Sequence, residues 1–178
     1  MLTIGDKFPE FNKTAVVSLE AGKEFENVNS EAHKKDGKWM VMFWYPKDFT
    51  FVCPTEISEF NHQYENFGNN NAVLYGASTD SEYVHLAWRN DHADLKNLQF
   101  PLIADTSKSL SEELGILEAN EKVAYRATFI VDPEGTIKWI NINDLGTGRN
   151  VNEVIRALEA LQAPGLTPCN WEPGQATL

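Results

Sequence analysis

The sequence predicts an α/β fold, a mixed sheet with helices packed on it that ends in a β-hairpin and a last helix. Three observations carry this. Residues 38–45, Lys-Trp-Met-Val-Met-Phe-Trp-Tyr, form an apolar run of strand length, as expected of a central strand covered on both faces. Directly after it, from Cys53 to Phe67, the residues Ile57, Phe60, Tyr64 and Phe67 recur at spacings of three and four, which describes one face of a helix. Further on, Asp132-Pro133-Glu134-Gly135 separates two apolar segments by a length that suits an antiparallel turn.

The elements follow in order. Pro54 suits the first turn of the helix that begins at Cys53, because proline's missing N–H is unpaired there anyway. Residues 72–78 read as a second buried strand, and Tyr83, Leu86 and Ala87 within residues 81–92 as a second helix, giving a β-α-β-α order. Residues 128–131 and 137–140 are the two arms of the hairpin. Val151, Val154, Ile155, Leu158 and Leu161 form the stripe of the last helix, with Asn150 as its cap. Beyond it, Ala163-Pro164-Gly165-Leu166-Thr167-Pro168 is too heavily punctuated to remain helical. The expected organisation is one domain over residues 1–161 and a C-terminal arm over residues 162–178. That arm holds Cys169 and Trp171, and Trp171 is the candidate anchor at a subunit interface.

Composition narrows the function. The chain has 178 residues, 42% of them hydrophobic, enough for one real core. A net charge of −11, with a pI near 4.8, argues against nucleic acid, whose recognition needs clustered Lys and Arg. The N-terminus lacks the pattern of a secretion signal, and no apolar run approaches membrane-spanning length, so a soluble cytoplasmic protein is expected. Two cysteines far apart in sequence make neither a CxxC pair nor a zinc ligand set, and His33, His62, His85 and His92 show no metal-ligand spacing. No metal and no other cofactor is expected.

Cys53 sits where a helix begins, a position that favours the thiolate, the reactive form of cysteine. Full ionisation of a thiol with an ordinary pKa raises the reactive fraction only about thirtyfold, or about 2 kcal/mol. A fast enzyme also needs donors aimed at the charge that develops in the transition state. Thr50, three residues earlier, and an arginine brought in by the fold are suitable.

Pro46-x-x-x-Thr50-x-x-Cys53 resembles the active-site signature of peroxiredoxins, and Phe49-Thr50-Phe51-Val52-Cys53-Pro54-Thr55-Glu56 is similar to its version in typical two-cysteine members. Ser78-Thr79-Asp80, Ala87-Trp88-Arg89, Arg126-Ala127-Thr128-Phe129, Val131-Asp132-Pro133-Glu134-Gly135 and Gly148-Arg149-Asn150 extend the resemblance over nearly the whole chain. Within the family the sequence looks like the bacterial alkyl hydroperoxide reductase C subunit. The resemblance implies a thioredoxin-like fold and reduction of hydrogen peroxide and organic hydroperoxides, with Cys53 attacking the peroxide and becoming a sulfenic acid. It further implies that Thr50 hydrogen-bonds peroxide and sulfur, that Arg126 stabilises thiolate and transition state, and that Pro46 shields the pocket. Glu56 would bridge Arg126 and Arg149. Cys169 would resolve the sulfenate of a partner subunit as an intersubunit disulfide, which a disulfide reductase, a flavoprotein or thioredoxin-like protein, would reduce. A homodimer that assembles into a decamer is implied in the same way. The Gly-Gly-Leu-Gly insertion and C-terminal Tyr-Phe helix of overoxidation-sensitive members have no counterpart, which implies an enzyme that resists overoxidation.

Blander readings stand beside these. A lone cysteine is often a small buried hydrophobe, a first-turn glutamate is often only favourable with the helix dipole, and a tail thiol is often incidental. Gly146-Thr147-Gly148 reads as a helix-capping loop rather than a phosphate site, and the four histidines as surface or packing residues. Trp39, Trp44, Trp88 and Trp139 read as core. The rival functions are a one-cysteine peroxidase resolved by an external thiol, and a non-enzymatic redox-sensing or holdase oligomer.

Overall fold

In the computed structural model, which describes residues 1–178, seven strands form one mixed sheet. The strands are β1 (Asn12–Val16), β2 (Phe25–Asn29), β3 (Trp39–Trp44), β4 (Ala72–Ser78), β5 (Leu102–Ala104), β6 (Arg126–Val131) and β7 (Ile137–Asn143). Their spatial order is β2-β1-β5-β4-β3-β6-β7. β3 pairs in parallel with β4, and β4 with β5; every other pairing is antiparallel. The parallel pairs are the ones joined by helical crossovers, since a parallel return needs a long connection. Helices α2 (Cys53–His62) and α3 (Tyr64–Asn69) join β3 to β4, and α4 (Glu82–Asp91) with a short 3₁₀ turn joins β4 to β5. The remaining helices are α1 (Glu31–Lys35), α5 (Ser109–Leu114) and α6 (Val151–Gln162).

The predicted central strand lies between β4 and β6, and residues 40–45 are fully buried. Its alternate side chains feed two core layers. Val41, Phe43 and Tyr45 pack with Ile57, Phe60, Phe67 and Leu158 on the α2, α3 and α6 face. Met40, Met42 and Trp44 pack with Phe8, Phe11, Leu110, Leu114 and Phe129 on the other. Gly76 of β4 allows the layers to close. A Cβ there would lie 2.8 Å from Leu102 Cδ2 and 2.9 Å from Phe43 Cζ, so any side chain would force the core apart.

The hairpin, the second buried strand and the last helix appear where the sequence puts them, and Asn150 Oδ1 accepts from the N–H of Glu153 as a helix cap. Two expectations change. The single helix read over residues 53–67 is two, broken at Gln63. There Gln63 takes φ −93° and ψ 5°, off helical values, and the Asn66 N–H donates to the Gln63 carbonyl in an i→i+3 turn, which tightens the backbone and interrupts the helix. Helix α4 forms over the predicted span but buries His85, Trp88 and Arg89, while Tyr83 is 69% exposed. Trp88 joins the apolar core, while the two polar residues of that inner face have buried partners, His85 meeting Asp48 and Arg89 donating to the Leu95 and Leu98 carbonyls. No helix of the structure is long and apolar enough to cross a membrane.

After α6 the chain turns extended at Ala163 and folds back on its own domain. Trp171 is buried, its indole N–H donates to the Gln175 carbonyl, and Arg156 donates to the Trp171 carbonyl. The anchor expected from sequence therefore docks on its own chain here.

Candidate active site

The site lies where the loop after β3 enters α2. Val52 gives that helix no side-chain cap, and Pro54 contributes no N–H, so its first turn is loosely bonded. The Cys53 thiol is 1% exposed and sits at the base of a pocket of about 200 Å³ lined by Pro46, Lys47, Thr50, Glu121, Val123, Arg126 and Leu145. The largest cavity, about 610 Å³, lies between α6 and the arm and contains neither cysteine.

The sequence-predicted residues converge on this pocket, with one exception. Arg126, at the start of β6, donates from Nη1 to Cys53 Sγ at 3.4 Å and to Glu56 Oε2 at 2.8 Å, and its Nε donates to the Leu145 carbonyl. Arg149 completes the floor: Nη2 donates to Glu56 Oε2 at 2.8 Å, while its Nε and backbone N–H donate to Glu56 Oε1 at 3.0 Å. Its guanidinium lies 5.3 Å from the centre of the Phe43 ring and 5.8 Å from that of Phe60, which are stacked. Thr50 lines the pocket, but its hydroxyl donates to the Lys47 carbonyl at 2.8 Å. The exception is Cys169, which is exposed on the arm and unbonded to Cys53.

One carboxylate thus faces two guanidinium groups, and a thiol sits beside one of them. Burial alone would raise the Glu56 carboxyl, yet hydrogen bonds and attraction from Arg149, with attraction from Arg126, hold it below its ordinary value. Burial likewise works against the Arg126 charge, and the contacts with Cys53 and Glu56 outweigh it, so that pKa is raised. The trio carries one net positive charge, and Arg126 presents it to the sulfur and the pocket. This arrangement aims a fixed guanidinium donor at the sulfur and at any anionic oxygen formed next to it.

A second buried network fixes the loop from behind. Tyr45 donates to Asp48 Oδ1 at 2.8 Å, His85 Nδ1 lies 2.6 Å from Asp48 Oδ2, and His85 Nε2 lies 3.1 Å from the Ile103 carbonyl. Asp80 Oδ2 accepts from the Asp48 N–H and from the Ser78 hydroxyl. Burial lowers the His85 pKa, but hydrogen bonding and attraction from Asp48, with the bond to the Ile103 carbonyl, more than compensate, so His85 is held above its ordinary value, while burial raises the Asp48 carboxyl. Phe49, the next residue, has a φ of 57°, a left-handed conformation that costs a non-glycine residue about 1–3 kcal/mol. Sequence reasoning missed this belt. Asp48 sits inside the signature, but nothing at the sequence level ties it to His85, nor Lys47 to Glu121 at the pocket mouth.

A thioredoxin-like sheet that presents a thiol at a helix start beside a fixed guanidinium defines the protein in class as a thiol-dependent peroxidase. Comparison with known proteins agrees and narrows the class. Residues 4–140 match the AhpC/TSA family. Alkyl hydroperoxide reductase C of Mycolicibacterium smegmatis is 45% identical over 186 aligned residues, covering 100% of this chain and 94% of that protein. The solved AhpC of Mycobacterium bovis superposes with a TM-score of 0.88 at 44% identity, over 97% of this chain and 99% of its own. The reduced two-cysteine peroxiredoxin of Plasmodium vivax gives 0.90 at 32% identity, over 99% and 92%. The chain belongs to the AhpC/TSA family, and it is a peroxiredoxin.

Proposed function

We propose that Cys53 is the peroxidatic cysteine of an enzyme that reduces hydrogen peroxide and alkyl hydroperoxides, and that Cys169 of a partner subunit resolves it. The observation that carries this reading is the 3.4 Å contact between Arg126 Nη1 and Cys53 Sγ, at the base of a pocket of about 200 Å³ that admits a peroxide group.

The Cys53 thiolate attacks the terminal peroxide oxygen; the S–O bond forms as the O–O bond breaks. Sulfur is oxidised to a sulfenic acid that keeps the transferred oxygen's proton, the peroxide is reduced, and the departing oxygen takes a proton from solvent and leaves as water or an alcohol. Arg126 stabilises the negative charge as it passes from sulfur to that oxygen, and Glu56 and Arg149 hold the guanidinium in place. The Thr50 proton is already engaged by the Lys47 carbonyl, so the Thr50 oxygen is free to accept from the peroxide O–H and orient it. Pro46 excludes water from one wall.

Resolution needs the site to open. A disulfide brings Cα atoms within about 7 Å, and a thiol only 1% exposed is out of reach of another chain. The uncapped first turn of α2 and the strained Phe49 make this segment the one that unwinds most cheaply. The partner's thiol then attacks the Cys53 sulfur, the S–S bond forms, and water leaves. A disulfide reductase, a flavoprotein or thioredoxin-like protein, returns two electrons and two protons per cycle. In this reading residues 1–161 are the peroxidase domain, residues 162–178 the arm, and the working form a cytoplasmic homodimer that assembles into a decamer.

Non-reducing electrophoresis after one equivalent of peroxide tests the scheme. Wild type should run as a disulfide-linked dimer, and neither Cys53→Ser nor Cys169→Ser should form one. A Cys169→Ser enzyme that turns over undiminished with a dithiol reductase would instead establish an external resolving thiol.

A further inference from the structure

We infer that Lys47 and Glu121 form an ion-paired gate over the mouth of the Cys53 pocket, and that this gate sets the preference between hydrogen peroxide and bulky hydroperoxides. The inference rests on the reading of Cys53 as the peroxide-reducing thiol.

The pocket lining divides by depth. Cys53, Arg126 and Thr50 carry the chemistry, and Pro46, Val123 and Leu145 supply apolar walls. The two other lining residues are Lys47 and Glu121, whose side chains are 48% and 53% exposed and therefore form the rim. Lys47 belongs to the loop after β3, Glu121 to the turn before β6, and their charged ends meet in an ion pair. The pair therefore joins the two chain segments between which a substrate enters.

The two partners are not equally mobile. Glu121 stands on a closed turn: its N–H donates to Glu118 Oε2, the Lys122 N–H to the Glu118 carbonyl, and the Glu118 N–H to the Val123 carbonyl, with a bridge between Leu117 and Ala124 behind them. Lys47 reaches across on a flexible four-carbon stem, so it is the part that swings. Hydrogen peroxide is little larger than water and passes beside a closed pair. A hydroperoxide with an aryl or alkyl body has to displace Lys47 before its O–O group reaches the sulfur. An exposed pair of this kind resists displacement weakly, which limits the discrimination to about two- to fivefold.

Charge adds a second signature. While the pair is intact the rim is neutral. Removing Lys47 leaves the Glu121 carboxylate alone at the entrance, which repels an anionic hydroperoxide; removing the Glu121 charge leaves the ammonium, which attracts it.

The test measures kcat/KM for hydrogen peroxide, cumene hydroperoxide and a fatty-acid hydroperoxide with wild type, Lys47→Met, Glu121→Gln and the charge-swapped double variant Lys47→Glu/Glu121→Lys. The cumene-to-hydrogen-peroxide ratio should rise about two- to fivefold in both single variants and return to the wild-type value in the swap. Relative to the cumene ratio, which carries the steric effect alone, the fatty-acid ratio should rise in Glu121→Gln and fall in Lys47→Met. Raising salt from about 0.01 M to about 0.5 M should raise the cumene ratio in wild type and leave it unmoved in Lys47→Met. Ratios that stay at the wild-type value in both single variants, or a swap that fails to restore them, would overturn the gate. Cys53→Ser is the separating control: if it still consumes peroxide the site reading fails, and if it is inert while the ratios stay fixed only the gate fails.

Discussion

The two cysteines of this chain occupy opposite environments. Cys53 is buried beside a guanidinium that a carboxylate and a second guanidinium hold in place, whereas Cys169 is exposed on an arm tied down chiefly through Trp171. One thiol is given a fixed electrostatic setting and little freedom; the other is given freedom and no setting. The comparison teaches that the two steps of a thiol peroxidase make contrary demands. Attack on peroxide needs pre-organised donors, while resolution needs the same sulfur to leave them.

The largest break in this contrast comes from the floor of the pocket. Glu56→Ala leaves two buried guanidinium groups facing each other, so the domain should lose about 3–5 kcal/mol of stability in denaturant unfolding, together with most of its peroxide activity. Glu56→Gln, which keeps the hydrogen-bond acceptor but not the charge, should fall between Ala and wild type. An Ala variant as stable as wild type would show that the trio is not coupled.

The pH dependence of stability sharpens the picture, because the two buried networks act with opposite sign. Glu56 has a folded pKa below its ordinary value of 4.5, so its contribution is fully present above pH 4.5 and lost as pH falls through the depressed value. His85 has a folded pKa above its ordinary 6.5, so its contribution is present below pH 6.5 and lost as pH rises through the elevated value. Melting curves should therefore fall off on both limbs, with Glu56→Gln flattening the acid limb alone and His85→Asn the alkaline limb alone. If each substitution flattened both limbs, the networks would not be independent.

The smallest effect belongs to the arm. Trp171→Ala should speed amide hydrogen exchange over residues 164–178 while β3 and β6 stay protected, since the arm's contacts do not enter the two core layers. Slowed exchange, or loss of protection in the sheet, would mean that the arm is part of the domain's core.

Much of this was readable in advance, for physical reasons. The strand over residues 38–45 announces itself because both its faces are buried, and the hairpin because only a short turn joins two apolar runs. Cys53, Thr50 and Pro46 share one loop, so a local pattern carries them. Arg126 and Arg149 came from separate motifs, and the structure brings both onto Glu56. Two kinds of feature were hidden. Strand β5 has three residues, and the edge strand β2 exposes Glu26 and Asn27, so neither shows a usable periodicity. The Asp48–His85 and Lys47–Glu121 pairs depend on segments that only the closed sheet brings together. Residue type alone gave His85 no reason to be buried against a carboxylate rather than merely packed.

The most direct measurement is single-turnover oxidation of Cys53 by hydrogen peroxide in the Cys169→Ser background, with and without Arg126→Met, followed by trapping of the sulfenic acid. The arginine held 3.4 Å from the sulfur should make the parent react at least about a hundredfold faster than the variant, with both proteins folded by circular dichroism. Equal rate constants in the two proteins would contradict the claim that the Arg126 guanidinium makes Cys53 a peroxide-reducing thiol.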